Sequence, residues 1–168
     1  MDKQYFKGYS MTIAVGDSLP EVNFMTVTGD GHQSVATDVI FAGRKVVLFG
    51  VPGAFTPTCS RNHLPGFLSN IDAIKAKGVD SIVCVTVNDI HVVDAWSKHA
   101  GTNGKIIMLS DGDGNFARAI GLNKSMNGMG ERVRRFSMIV DNGVVRQLNV
   151  EDKPGVNVSG ADAILGQL

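Results

Sequence analysis

Apolar and polar positions along the chain change period several times, and each change predicts an element. Val22 to Thr28 and Gln33 to Thr37 flank Gly29-Asp30-Gly31, a hairpin pattern near the N-terminus. Lys45 to Gly50 reads Lys-Val-Val-Leu-Phe-Gly, an apolar run of strand length, and a loop with Pro52 and Pro57 follows it. From Cys59 onward the period becomes helical, with Leu64, Phe67, Leu68, Ile71 and Ile74 on one face. Pro65 sits inside that stretch, where its ring clashes with the carbonyl of Arg61, so a kink is expected one turn in.

The second half alternates in the same way. Val79 to Val87 reads as an apolar strand, and Asn88 or Asp89 is placed to cap a helix from Ile90 to about His99. Ile106 to Leu109 predicts a short strand and Phe116 to Ile120 a short helix ended by Gly121. Val133 to Val140 and Val144 to Val150 read as strands joined across Asp141-Asn142-Gly143, the clearest hairpin turn in the chain. A last helix is expected over Ala161 to Leu165. Strands and helices in alternation, closed by a hairpin, predict an α/β fold, or α+β sandwich, around a central mixed sheet. Met11 offers an alternative start, which makes residues 1–10 an extension or tag and residues 11–168 a single domain.

Composition narrows the partners. Sixteen basic residues balance sixteen acidic ones among 168, so no long-range field draws the chain to nucleic acid or anionic membrane. No stretch reaches the length of a membrane span, and the first ten residues lack the apolar run of a secretory signal. Two cysteines do not make a disulfide framework. They point to a reducing compartment, and the cytoplasm is the expected location.

Of those two, Cys59 stands where an apolar strand has ended and a helix begins. First-turn N–H groups of a helix have no internal partner and carry partial positive charge, so a thiolate there is stabilised. The bland alternative is a small buried residue filling a gap. Thr56-x-x-Cys59 has the spacing of a dithiol redox motif, but a hydroxyl replaces the first sulfur. Cys59 and His63 are spaced to touch one metal ion, yet two ligands without further partners are not a site.

Pro52, Thr56 and Cys59 reproduce the Pro-x-x-x-Thr-x-x-Cys signature of peroxiredoxins. The string Pro52-Gly53-Ala54-Phe55-Thr56-Pro57-Thr58-Cys59 closely resembles the peroxiredoxin-5, or plant type II, branch. The likeness continues through His63 to Phe67, Val87-Asn88-Asp89 and Arg135-Phe136-Ser137-Met138. It implies a thioredoxin-like fold, peroxide as substrate, no metal or flavin, and a homodimer formed through loops near the site. It makes Cys59 the peroxidatic cysteine, has Thr56 hydrogen-bond to the sulfur and the peroxide, and has Pro52 shield the site from water.

The resemblance also matches the family's active-site arginine to Arg135; the residues alone do not choose among Arg132, Arg134 and Arg135. Strand alternation puts Arg135 opposite Phe136 and Met138 and excludes Arg134 from the same face. A lower thiol pKa by itself does not make a fast nucleophile, because nucleophilicity falls along the same axis. The rate must come from the transition state, where Arg135, the Thr56 hydroxyl and the N–H groups of Thr58 and Cys59 are available donors. Phe55 and Leu122 are apolar loop residues that would admit an organic substituent.

Once attacked by peroxide, Cys59 becomes a sulfenic acid and must be reduced. Val158 stands where animal members of the branch carry a resolving cysteine, so that disulfide is excluded. Cys84 remains, mid-strand between Val83 and Val85, either inert core or a second redox thiol. The reductant is then an external thiol, glutathione with glutaredoxin or thioredoxin, acting on Cys59 directly. His63 reads as a packed structural histidine that also has the option of supporting the site. Two other functions compete: a thiol–disulfide oxidoreductase, and a non-catalytic redox-sensing or chaperone protein on the same scaffold.

Overall fold

A computed structural model describes residues 12–168; the expected extension over residues 1–10 lies outside the described residues. Seven strands form one mixed sheet: β1 (Asn23–Thr28), β2 (Gly31–Ala36), β3 (Lys45–Gly50), β4 (Ser81–Thr86), β5 (Ile107–Ser110), β8 (Phe136–Asp141) and β9 (Val144–Val150). Their spatial order is β2-β1-β5-β4-β3-β8-β9. The central β3–β4 and β4–β5 pairs are parallel and the outer pairs antiparallel. Helices α1 (Thr37–Phe41), α2 (Leu64–Ser69), α3 (Ile71–Lys75), α4 (Ile90–Ala100), α5 (Asn115–Ala119) and α6 (Ala161–Gln167) flank it. This is the expected mixed sheet with flanking helices.

Strand β3 is buried on both faces, as a central parallel strand should be. Its pleat divides the core into two layers. Val46 and Leu48 join Phe24, Phe116, Phe136 and Met138 on one side, and Val47 and Phe49 join Phe67, Trp96 and Ile164 on the other. Strand β4 follows the same rule, with Val83 and Val85 on the first side and Ile82 and Cys84 on the second, the side that also holds Cys59. Gly50 ends β3 because its register partner Phe136 lays its ring there: a Cβ on Gly50 would meet that ring at 2.1 Å.

Two expectations need correction. Val133 to Val140 is not one strand. Val133 closes β7 (Gly130–Val133), which pairs with β6 (Asn123–Met126) in a separate two-stranded sheet, and β8 starts only at Phe136. Between them the backbone changes partners: Arg134 N–H donates to Leu122 O at 2.7 Å, and Arg135 O accepts from Glu151 N–H at 3.0 Å. Strand alternation therefore does not run through Arg134 and Arg135.

The expected kink also takes a different form. Cys59–His63 is a π-helical turn in which Leu64 N–H bonds to Cys59 O, five residues back. Pro65 has no N–H to give and its ring crowds the preceding carbonyls, so the ladder widens one turn earlier. The helix breaks again at Asn70, between α2 and α3, while Leu64, Phe67, Ile71 and Ile74 keep one buried face.

Candidate active site

The segment from Val51 to Thr56 leaves β3 and turns back into the helix that carries Cys59. Val51 N–H bonds to Val85 O, extending the central pairing one residue beyond the strand. Ala54 N–H donates to Asn88 Oδ1 at 2.9 Å, and Phe55 adopts a left-handed φ of 63° to complete the reversal. Helical backbone begins at Pro57, whose missing N–H costs nothing at that position. Its first intrahelical bond runs from Ser60 N–H to Thr56 O, so the N–H groups of Thr58 and Cys59 precede the ladder. Cys59 is fully buried, and Trp96 Nε1–H anchors the neighbouring Ser60 hydroxyl at 2.9 Å.

Arg135 meets this sulfur. Its Nη2 donates to Cys59 Sγ at 3.0 Å and its Nη1 to His63 Nδ1 at 2.9 Å. An arginine only donates, so His63 Nδ1 must accept and the imidazole proton sits on Nε2. That nitrogen donates to Ser159 O at 2.9 Å, which agrees with this tautomer. Burial against Phe49 and Phe67 lowers the His63 pKa to about 4; the Ser159 bond opposes the shift and the Arg135 charge adds to it. His63 is therefore neutral at physiological pH. It orients the guanidinium without cancelling its charge, which is the supporting option that the sequence left open beside a packed histidine. Its spacing of four residues from Cys59 and its place in the string His63 to Phe67 were the available signals.

Other residues depart from expectation. The Thr56 hydroxyl donates to Gly53 O at 2.7 Å rather than to the Cys59 sulfur, with which it makes no hydrogen bond. Its lone pairs stay available to accept from a peroxide O–H. Pro52, Thr58, Arg134, Arg135 and Glu151 line one cavity of about 380 Å³, which Cys59 and Thr56 do not line. Arg134, excluded by strand alternation, thus shares the cavity because the chain there is not a strand. Phe55 is half exposed against His99, and Leu122 is fully buried in the opposite core layer. Neither lines this cavity. A larger cavity of about 540 Å³ lies between β1 and α4, away from all of these groups.

Asn88 and Asp89 were the two candidate caps of α4, and Asn88 has another task. Asp89 is the cap of α4, one of the two expected, accepting from Val92 N–H. Asn88 Oδ1 holds both Ala54 N–H and the Thr86 hydroxyl, tying β4 to the loop that carries Thr56. Cys84 faces the same layer as Cys59, opposite Phe49 in the β3–β4 register, and both thiols are free. Burial, then the charge of Cys59, pushes the Cys84 thiol well up, against a smaller opposing effect of Arg135. Among the described residues no group of three His, Cys, Asp or Glu is placed to hold a metal, and no helix is long and apolar enough to cross a membrane.

Chemically, the site offers one sulfur nucleophile, a fixed cationic fork against it, and a small adjoining space. Residues 14–165 match the Redoxin family. The chain is 45% identical over 159 residues to peroxiredoxin-2C of Oryza sativa subsp. japonica, covering 93% of this chain and 98% of that one. Among solved structures it is similar to reduced Prx3 of Vibrio vulnificus in complex with hydrogen peroxide, with a TM-score of 0.89 and 46% identity over 93% of this chain and 99% of that one. It also resembles peroxiredoxin 5 of Alvinella pompejana, with a TM-score of 0.80 and 34% identity over 93% and 99% of the two chains.

Proposed function

The chain belongs to the peroxiredoxins of the Redoxin family and is a thiol-dependent peroxidase with a thioredoxin-like fold; from that premise we propose how its residues divide the work. Cys59 attacks one peroxide oxygen: an S–O bond forms, the O–O bond breaks, and the departing oxygen takes a proton to leave as water or an alcohol. Cys59 is left as the sulfenic acid. Arg135 meets the charge that grows on the oxygens as the O–O bond stretches, and the observation that carries this role is its 3.0 Å bond to the sulfur. Thr56, its own proton committed to Gly53 O, accepts from the peroxide O–H and orients it. Pro52 and Thr58 wall the cavity. Hydrogen peroxide and alkyl hydroperoxides are the substrates.

Reduction comes from outside. Val158 is half exposed on the segment whose next residue, Ser159, bonds to His63, and a valine there supplies no second sulfur. Cys84 is buried and its thiol is pushed toward the protonated form, which favours inert packing over resolution. A first external thiol condenses with the sulfenic acid to a mixed disulfide and releases water, and a second thiol regenerates Cys59. Glutathione with glutaredoxin, or thioredoxin, supplies those thiols in a reducing, cytoplasmic setting. A second copy of the chain docks against the loop of the half-exposed Phe55.

Coupled assays test the cycle, following NADPH oxidation with hydrogen peroxide and either the glutathione–glutaredoxin or the thioredoxin system. Turnover with one of them is expected. A Cys59–Cys84 disulfide found by mass spectrometry after one equivalent of peroxide would overturn the external route.

A further inference from the structure

We propose that Glu151 is a positioning residue for the peroxide step, acting through Ser159 and His63 on the guanidinium of Arg135. Glu151 follows directly on the end of β9 and is 7% exposed. One oxygen, Oε2, accepts from the N–H groups of Asn157, Val158 and Ser159, each at 2.8 Å, and from the Ser159 hydroxyl at 2.6 Å. Four donors on one carboxylate oxygen form an anchor for a loop, and charge-assisted bonds of this kind are about twice as strong as neutral ones. None of the salt bridges among the described residues involves Glu151, and Oε1, also buried, has no partner among them. The polar capacity this carboxylate uses is thus spent on the loop.

That loop delivers the Ser159 carbonyl to His63 Nε2. His63 in turn receives Arg135 Nη1, and Arg135 Nη2 reaches the sulfur. The same glutamate also grips Arg135 from the backbone, since Glu151 N–H donates to Arg135 O at 3.0 Å, while Arg134 Nη2 donates to Glu151 O at 3.1 Å. Arg135 is therefore held by Glu151 directly at its backbone carbonyl, and at its guanidinium through Ser159 and His63. Burial works against the Glu151 charge, but the bonds from Ser159, Val158 and Asn157 outweigh it and hold the pKa below the ordinary glutamate value. The anchor stays anionic through the neutral range. Freed of it, the Ser159 carbonyl drifts, His63 loses the acceptor that sets its tautomer, and Arg135 loses the acceptor that aims it.

The proposal rests on the peroxidase reading of Cys59, and its test leaves the reductant out. Sulfenic acid formation is followed by stopped-flow in one turnover with hydrogen peroxide, and the His63 titration is followed by NMR. Glu151→Ala is expected to slow Cys59 oxidation at least about tenfold, the scale of a misplaced catalytic group. It should also shift the His63 midpoint further below about 4, because the Ser159 bond and the Glu151 charge both raise it in the parent. Glu151→Gln keeps an acceptor oxygen for the loop and should restore most of the rate. A merely structural role would not move the histidine. A folded Glu151→Ala protein that loses less, or whose His63 titration is unmoved, overturns the proposal. Should Glu151→Ala fail to fold, Glu151→Asp decides, since its shorter side chain draws the carboxylate back from the loop: slower oxidation with a lowered His63 midpoint supports the proposal, and no change in either overturns it. A parent protein without any oxidation at Cys59 sinks the peroxidase reading itself, before a variant is made.

Discussion

Arg135 lies 76 residues beyond Cys59 in the chain and places Nη2 at 3.0 Å from its sulfur. The fork's other nitrogen is taken by His63, so the guanidinium is locked against rotation and one edge faces the reacting centre. A cation fixed in advance costs no reorganisation when the O–O bond breaks.

Replacing Arg135 by Ala should lower the second-order rate with hydrogen peroxide by about 100-fold or more, the worth of one well-aimed donor. Arg135→Lys keeps the charge but cannot bond sulfur and imidazole as a planar fork, so a loss near tenfold is expected from the mismatch (about 1.4 kcal/mol). Stopped-flow kinetics, run at a pH where the thiols of parent and variant are equally ionised, reads both. An Arg135→Ala protein that loses less than about tenfold does not use Arg135 this way.

His63 should make stability depend on pH. Its folded pKa of about 4 lies below the ordinary 6.5, so between those values the unfolded chain binds more protons than the folded one. Stability attributed to neutral His63 is thus fully present above pH 6.5 and is lost as pH falls toward about 4. The shift corresponds to about 3 kcal/mol across that window. Urea unfolding of the parent and of His63→Gln across the window isolates this slope from that of the carboxylates. Parallel curves would mean that His63 is not held neutral in the fold.

Cys84→Ala should leave the peroxide rate unchanged within about twofold, because a buried thiol held in its protonated form takes no part in the step. The cost should fall on stability, about 1–2 kcal/mol for the small cavity left in the core. Denaturant titration and free-thiol mass spectrometry after peroxide check the two halves. Loss of an internal disulfide in the variant, relative to the parent, would assign Cys84 a redox role.

Asn88→Ala removes the acceptor shared by Ala54 N–H and the Thr86 hydroxyl. Leaving such donors unpaired costs about 1–3 kcal/mol, and the loop bearing Thr56 should loosen. Peroxide oxidation should slow by about threefold to tenfold, while Asn88→Asp, which retains the acceptor, keeps most of the rate. An Asn88→Ala protein with parental kinetics would separate this tie from catalysis.

Much of the scaffold was legible before any coordinates. Lys45–Gly50 is a strand at the bounds its apolar run predicts. The closing hairpin turns at Asn142 and Gly143, with φ of 49° and 77°, the left-handed pair that such a turn requires. Cys59 stands at a helix start, as the change of period indicates. Each of these follows from neighbours within a few residues, where backbone geometry and periodicity act directly.

What the sequence left open depends on parts of the chain that are far apart. Arg134 and Arg135 have the same chemistry, and only the switch of backbone partners from Leu122 to Glu151 aims one of them at the sulfur. His63 reaches across 96 residues to the Ser159 carbonyl, and that contact converts a core histidine into a hydrogen-bonding link. The β6–β7 hairpin and the π-helical turn likewise escaped local rules, since neither follows an alternating or helical period. Cys59 carried the resemblance through its motif, and residue type and local period singled it out as a sulfur at a helix start. Closure of the fold alone decided which groups surround it, because hydrogen bonds between distant residues leave no periodic trace along the chain.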